Sequence, residues 1–200
     1  MSAVDNKRPQ PDKVITDLAK YAWGYKPASK LAYETARLTL IDSLACAFEA
    51  LAYPDCTKLL GPIVPGTIVP NGARVPGTNY VLDPVTAAFN AGTLIRWLDF
   101  NDAFYGRTVI HPSDNIGAIL MTADWLSRTR VAAGKKPLAM REVLTAIIKA
   151  YEVQGGLALE NGFTAAGLDH TILVKIASTA AVSSLIGCTQ EEIVNALSNA

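Results

Sequence analysis

Apolar residues recur at intervals of three and four along most of the chain, a spacing typical of helices that bury one face. The first helix is predicted over residues 12–23, where Gly24 stops it. A second is predicted from Pro27 to Tyr53, with a buried face made of Leu31, Leu38, Ile41, Leu44, Ala45 and Phe48. No segment alternates between apolar and polar residues as a half-buried strand does, so the predicted fold class is mainly α.

Five later helices are indicated by residues that favour helix starts and ends. Asp83 offers a capping carboxylate, and Pro84 suits the first helical position. Thr189 and Glu192 form a capping box, in which each side chain satisfies a backbone N–H at the start of the helix. The predicted spans are 83–100 or 83–102, 112–128, 137–154, 169–185, and 189 onward, the last still helical at Ala200.

The pattern divides the chain into a tail and one domain. Residues 1–12 are predicted to be a flexible N-terminal tail, and residues 13–200 an all-helical domain that is incomplete because its last helix has not ended. Residues 61–84 are rich in proline and glycine, which predicts irregular backbone with short extended pieces. A linker is the alternative, but the interleaved Ile, Val and Tyr favour a loop packed on the domain.

The composition excludes several classes of protein. Half of the residues are apolar and only 18% are charged, so the chain has the apolar surface that a disordered segment lacks. Eighteen basic residues balance eighteen acidic ones, which predicts no nucleic-acid or anionic-membrane partner. No stretch reaches the roughly 18 uncharged apolar residues of a membrane span. The low charge content predicts heavy burial, including burial against further chain or subunits.

The cysteines and the N-terminal residues indicate in which cellular compartment the protein is found. Cys46, Cys56 and Cys188 form no CxxC pair and are too few for a disulfide framework, which favours a reducing compartment. The first residues show neither an apolar signal segment nor an Arg- and Ser-rich presequence. The predicted location is therefore the cytoplasm, with the mitochondrial matrix as the alternative.

The two histidines are the first candidates for chemistry. His111 directly precedes the helix start at Pro112, where exposed amides attract anions such as a substrate carboxylate. Ser113 and Asp114 follow within the same turn. An imidazole there can act as acid or base near neutral pH. The alternative is a histidine that only forms a hydrogen bond across a loop.

Arg96, Asp99 and Asp102 lie three residues apart, so on a helix they would share one face. Two carboxylates on one face can have their proton affinities driven apart, as general acid–base catalysis requires. The alternative is an Arg96–Asp99 ion pair, with Asp102 as a residue of the C-terminal turn.

His170 and Lys175 flank the start of the helix predicted at 169–185. Five residues rotate them roughly 140° apart, so a straight helix would aim only one of them at a given ligand. The alternative for Lys175 is an ordinary solvent-facing or salt-bridging lysine. Two isolated histidines without HxxxH or ExxH spacing predict no metal site, and no phosphate-binding loop or GxSxG elbow occurs.

Several segments resemble a known family in combination: RWLDFND at 96–102, HPSDNIGAIL at 111–120, TADWLSR at 122–128 and LDHTILVKIASTA at 168–180. With residues 59–78 and 142–161 they resemble the MmgE/PrpD family over essentially the whole chain. The resemblance implies a large all-helical domain, of which this chain is the N-terminal portion, and a smaller α+β domain from later sequence.

The resemblance also implies a lyase. The expected reaction is metal-independent removal of water from 2-methylcitrate, giving 2-methyl-cis-aconitate in propionate catabolism, with no cofactor. The resemblance assigns catalysis to Asp99, His111 and His170. It leaves open which histidine is the acid and which is the base. Contact with the tricarboxylic substrate is expected from Arg96, Asp102, Arg107, Ser113 and Lys175. Other expected partners are the rest of the polypeptide and, as a candidate, a second copy in a homodimer.

The segment between Asp102 and His111 departs from the family pattern. It reads AFYGRTVI, where close relatives carry a more acidic segment with a tryptophan, and it puts Arg107 near the site. Arg107 would add a clamp for a carboxylate or alter substrate choice. The alternatives are a cis-aconitate decarboxylase or a citrate or aconitate hydratase of the same family and, from another class, a non-catalytic helical assembly module.

Overall fold

The computed structural model describes residues 9–200, which form eight α-helices and two short antiparallel hairpins. The helices are α1 Lys13–Gly24, α2 Lys30–Ala50, α3 Pro54–Thr57, α4 Pro84–Arg96, α5 Ile116–Ala132, α6 Met140–Glu160, α7 Thr171–Ile186 and α8 Gln190–Leu197. The strands are β1 Ala73–Arg74 with β2 Val81–Leu82, and β3 Phe104–Tyr105 with β4 Val109–Ile110. The mainly α class is confirmed. Of the predicted tail, residues 1–8 lie outside the described residues.

Several helix ends follow the capping residues. The Asp83 carboxylate accepts hydrogen bonds from the Val85 and Thr86 amides, both at 3.0 Å. The Glu192 carboxylate in turn accepts from the Thr189 amide, which completes the predicted capping box. Gly187 ends α7 with φ +91°, a conformation that glycine adopts without strain. These local predictions are confirmed because they depend on atoms only two or three residues apart.

Several predicted boundaries are wrong. The helix predicted over 112–128 is α5 at Ile116–Ala132, and a 3₁₀ turn at Pro112–Asn115 precedes it. Helix α2 begins at Lys30 behind a Ser29 cap rather than at Pro27. Helix α4 ends at Arg96, several residues early, and α8 ends at Leu197 instead of continuing through Ala200. Helix α6 runs through Gly155 and Gly156. A helical glycine costs only about 1 kcal/mol relative to alanine, and the buried residues on both sides of the pair offset that cost.

The predicted buried face of α2 is also wrong. Five of its six members, Leu31, Leu38, Ile41, Ala45 and Phe48, are exposed. The buried side instead carries mostly small residues: Ala36, Leu40, Ser43, Cys46, Ala47 and Ala50. Small side chains let α2 lie close to α4 and α6, and tertiary packing therefore outweighs the larger apolar stripe.

The core lies where α4 packs on α5 and α6 packs on α7, with α5 also contacting α7. Its largest fully buried side chains include Leu94 and Ile95 of α4, Ile119 of α5 and Ile147 of α6. None of the helices within residues 9–200 combines the length and apolar character needed to cross a membrane. The C-terminal end of α4 and the N-terminal ends of α5 and α7 meet at one side of this core, where the site lies.

The later part of segment 61–84 packs on the domain as predicted, whereas residues 63–68 are exposed. Its strands β1 and β2 form a hairpin that buries Val75 and Leu82. The Asn90 side chain on α4 accepts a hydrogen bond from the Gly61 amide, 2.6 Å away, and is itself completely buried. The loop is thus fixed to the helix whose C-terminal end carries Arg96.

Two glycines at the α4–α5 contact give a matched pair of variants. A Cβ added at Gly117 would lie 2.8 Å from the Gly92 nitrogen and 3.0 Å from the Ala88 oxygen, whereas a Cβ added at Gly92 meets no atom within 4 Å. We expect Gly117→Ala to lower the free energy of unfolding by about 1–3 kcal/mol, because backbone atoms must move apart. We expect Gly92→Ala to raise it by about 0.5–1 kcal/mol through the better helix propensity of alanine.

Urea unfolding of the two variants and the unsubstituted protein measures this difference directly. Similar midpoints for the two variants would contradict the close approach of the helices.

Candidate active site

A cavity of about 540 Å³ opens between α4, α5 and α7. Arg96, Asp114, His170 and Lys175 contribute its ionisable side chains, and small or apolar residues form much of the remainder: Ala88, Gly92, Ala118 and Val174. A larger cavity, of about 840 Å³, lies between the segment before α1 and helix α8, and its lining contains carboxylates but no histidine or cationic side chain. The smaller cavity is therefore the candidate site for an anionic ligand.

The two histidines meet beside this cavity. Their ring centroids lie 5.6 Å apart, with the ring planes at 65°. The Nδ1 of His111 lies 2.7 Å from the backbone carbonyl oxygen of Asp102. Because a carbonyl only accepts, Nδ1 carries the proton, and in the neutral ring Nε2 is left with a lone pair. The Nε2 of His170 is buried and forms no hydrogen bond within the described residues.

Asp102 fixes the segment that carries His111. Its Oδ1 accepts from the Ser113 amide at 3.0 Å, and its Oδ2 accepts from the Tyr151 hydroxyl at 2.7 Å. Burial and the neighbouring Asp102 carboxylate raise the pKa of Tyr151, so the phenol stays protonated and donates. Asp102 therefore joins α6 to the turn that begins with His111.

Arg96, Asp99 and Asp102 do not share a helix face, because α4 ends at Arg96. Asp99 follows in a turn with φ +56°, a left-handed conformation that aspartate tolerates better than most residues. Its carboxylate pairs with the Arg96 guanidinium, which lowers the pKa of Asp99. The ion pair predicted as the alternative is thus present, and it puts the exposed Asp99 next to Arg96, which lines the cavity.

Asp114 is a site residue that the sequence reading treated only as part of a helix start. Its Oδ1 lies 3.7 Å from Arg96 Nε and 3.5 Å from Asn101 Nδ2, and its Oδ2 lies 3.9 Å from His170 Nε2. Burial raises the pKa of Asp114, although the positive charges around it act in the opposite direction. The signal in the sequence that could have indicated Asp114 was its position three residues after His111.

Three other predicted site residues have different surroundings. Lys175 and His170 both line the cavity, His170 as the residue directly before α7 and Lys175 about one turn into it. Ser113 is completely buried, and its hydroxyl accepts from Asn101 Nδ2 at 2.8 Å. Arg107 is exposed and contacts the Glu160 carbonyl at 3.5 Å, and it is not among the residues that line the cavity.

A chain of buried polar side chains holds the elements of the site together. Asn115 donates to the Gln154 side-chain oxygen on α6 and accepts from Ser178 on α7, 2.7 Å away. Neither Asn115 nor Gln154 is reached by solvent. Such buried hydrogen bonds fix the relative position of three elements that do not adjoin in sequence. Neither the periodicity nor the residue spacing of the sequence indicates these buried hydrogen bonds or the role of Tyr151.

The arrangement combines proton carriers with cations. Arg96 and Lys175 can pair with carboxylates of a ligand, and the two imidazoles offer nitrogen atoms that can accept or donate a proton. Within residues 9–200, no group of three or more His, Cys, Asp or Glu side chains is arranged to hold a metal ion. The site therefore suits acid–base chemistry on a small polycarboxylate.

Known proteins are similar to this chain along nearly its whole length. The pattern of the MmgE/PrpD N-terminal domain matches residues 16–200. The chain is 62% identical over 192 residues to the 2-methylcitrate dehydratase of Cupriavidus necator, covering 96% of this chain and 40% of that protein. It is 60% identical over 199 residues to the enzyme of that name from Escherichia coli K12, covering 99% of this chain and 41% of that protein.

A eukaryotic relative is similar along the same region. The mitochondrial 2-methylcitrate dehydratase of Yarrowia lipolytica is 53% identical over 197 residues, covering 98% of this chain and 38% of that protein. The chain thus spans about two-fifths of the length of the curated relatives it matches. With the domain pattern matched along nearly the whole sequence, the chain belongs to the MmgE/PrpD family.

Proposed function

We propose that the protein, at its full length, removes water from 2-methylcitrate to give 2-methyl-cis-aconitate. The observation that carries this proposal is the meeting of His111 and His170 beside a cavity that also presents Arg96 and Lys175. The names of the relatives from Cupriavidus necator and Escherichia coli support the same reaction.

Such a dehydration makes three demands on the protein. A proton must leave a weakly acidic carbon next to a carboxylate, the tertiary hydroxyl must leave as water, and three carboxylates must be held. In the proposal, His111 and His170 carry the protons, and Arg96 and Lys175 bind carboxylates. Asp99 holds Arg96 at the mouth of the site until a substrate carboxylate takes its place.

The remaining predicted contacts take narrower roles. Asp102 and Ser113 are proposed to position His111, because their polar atoms are already engaged with protein groups. Arg107 stays a prediction as a clamp, since in this chain it contacts the end of α6. We also retain the rest of the polypeptide, a homodimer and a cytoplasmic location as predictions.

Two alternatives are less well supported. Decarboxylation or hydration of cis-aconitate would use the same cavity, but the relatives compared here carry the name of the methylcitrate enzyme. A non-catalytic assembly module would have no reason to bring its two histidines together, and the two rings lie 5.6 Å apart.

The test is product analysis by mass spectrometry after incubation of the full-length protein with 2-methylcitrate. We expect loss of one water without release of carbon dioxide, and unchanged turnover when EDTA is present and no metal is added. The same protein with cis-aconitate serves as the comparison. Carbon dioxide release from cis-aconitate, with 2-methylcitrate left intact, would contradict the proposal.

A further inference from the structure

We propose that the two histidines divide the proton transfers: His111 takes the proton from carbon, and His170, with Asp114, protonates the departing hydroxyl group. This inference rests on the proposed dehydration and adds the direction of each proton transfer. It also adds Asp114, which the resemblance to the family did not supply. The argument uses the hydrogen bonds and charges on each ring.

His111 is arranged as a base. Its Nδ1 donates to the Asp102 carbonyl oxygen at 2.7 Å, which fixes both the tautomer and the orientation of the ring. The neutral ring therefore presents a lone pair at Nε2, the atom that can accept a proton. Asp102 itself is held by the Ser113 amide and by Tyr151, so the carbonyl that orients His111 is part of a rigid network.

His170 is arranged as an acid. Carboxylates lie near both of its nitrogens: Asp169 Oδ1 is 3.4 Å from Nδ1, and Asp114 Oδ2 is 3.9 Å from Nε2. Carboxylates on both sides can orient the ring and accept hydrogen bonds from it. Asp114 is the more effective neighbour, because its side chain is only 12% exposed whereas that of Asp169 is 71% exposed and surrounded by water.

His170 and Asp114 face each other without a direct hydrogen bond. Their facing atoms, Nε2 and Oδ2, are too far apart at 3.9 Å for one, and Nε2 has no other partner among the described residues. Because Nε2 is buried, a small shift of the two side chains is needed before an oxygen at about 2.8 Å from each atom can bridge them. A substrate hydroxyl in that position would receive a proton from Nε2 while donating its own hydrogen to the Asp114 carboxylate.

Groups from several elements face the Asp114 carboxyl. Arg96 of α4 and Asn101 of the following turn face Oδ1, and His170 faces Oδ2. His111 adds positive charge only once it has taken up a proton, and the Asp102 carboxylate adds negative charge. Burial raises the pKa of Asp114, and the Arg96 guanidinium is the strongest influence in the opposite direction.

The proposed step balances without an oxidant or a cofactor. His111 Nε2 takes the proton from the carbon next to the substrate carboxylate, and the released electron pair forms the carbon–carbon double bond. The carbon–oxygen bond breaks, and the oxygen leaves with the bonding pair and the proton from His170 Nε2, as water. His111 is then protonated and His170 neutral. Loss of one proton from His111 to solvent and gain of one by His170 restore the starting state.

A change of leaving group separates the acid from the base. In an analogue with fluorine in place of the tertiary hydroxyl, fluoride departs as a stable anion and needs no proton, whereas the carbon proton must still be removed. We expect His170→Gln to lower kcat/KM on 2-methylcitrate about 100-fold or more and on the fluoro analogue by less than about tenfold. We expect His111→Gln to lower both values about 100-fold or more.

Asp114 is tested with a matched carboxylate variant. Asp114→Asn should lower kcat/KM on 2-methylcitrate about tenfold or more and leave the fluoro analogue within about threefold. Asp169→Asn removes the exposed carboxylate next to the same ring and retains a side-chain oxygen that can accept from the Thr171 amide. That variant should stay within about threefold on both substrates, because water screens its charge.

The outcomes distinguish the two proposals. Equal losses on both substrates in His170→Gln and Asp114→Asn, as a purely structural role would produce, contradict the division of the proton transfers while leaving the dehydration in place. If His111→Gln lost kcat/KM on 2-methylcitrate but kept it on the fluoro analogue, His111 would be the acid. That result would also contradict the division of the proton transfers. Failure of the unsubstituted protein to dehydrate 2-methylcitrate would contradict the proposed function itself.

Discussion

Replacing His111 by glutamine should lower kcat of the full-length protein on 2-methylcitrate by about 10²–10⁴-fold, the usual contribution of a positioned acid or base. In the unsubstituted protein the Asp102 carbonyl oxygen lies 2.7 Å from the imidazole Nδ1. The glutamine amide can still donate a hydrogen bond to this oxygen. It cannot take up a proton. The loss therefore reports the proton transfer more than the position of the segment, and the ultraviolet absorbance of the unsaturated product measures it.

The control for His111→Gln is its stability. His111 is partly exposed, and its one hydrogen bond to the backbone is replaceable, so we expect the unfolding midpoint to change by no more than a few degrees. Retention of more than about a tenth of the activity in a folded His111→Gln protein would rule out His111 as a principal proton carrier.

The second large effect is expected at Asp102. Its carboxylate accepts from the partly buried Tyr151 hydroxyl and from the Ser113 amide, and Asp102→Ala would remove the acceptor of both hydrogen bonds. Hydrogen bonds to charged groups contribute about 1.5–3 kcal/mol each, so we expect the free energy of unfolding to fall by about 2–4 kcal/mol. We also expect kcat to fall at least tenfold, because the Asp102 carbonyl orients His111.

Tyr151→Phe is the matched variant for this prediction. It removes one of the two hydrogen bonds and keeps the ring, so about 1–2 kcal/mol should be lost. Urea unfolding measures both variants, and kcat is taken from the same preparations. An Asp102→Ala protein no less stable than Tyr151→Phe would show that the Ser113 amide contributes nothing to holding the His111 segment.

The parts of the fold that follow from neighbouring residues could be predicted. The Asp83 and Thr189 caps and the left-handed Gly187 are where the sequence places them, because each depends on atoms within one helical turn. The face of α2 could not be predicted in this way. Its larger apolar residues point outward, since the approach to α4 and α6 requires small side chains and that requirement depends on the neighbouring helices.

The site residues that lie in short recognisable segments of the sequence could be predicted. His111 and His170 stand out as the two histidines of the chain, and the segments around them carry the family resemblance. Asp114, Asn101 and Tyr151 were missed, because each acquires its role only from a contact with another segment.

The sequence by itself determined the mainly α class, the family and the residue types available for acid–base chemistry, because these depend on periodicity, local capping and segment identity. Only the tertiary structure decided that Asp114 lies between Arg96 and His170 and that Asp102 orients His111. These relations join residues from different helices and turns. The packing of the helices sets their distances, and local sequence carries no record of them.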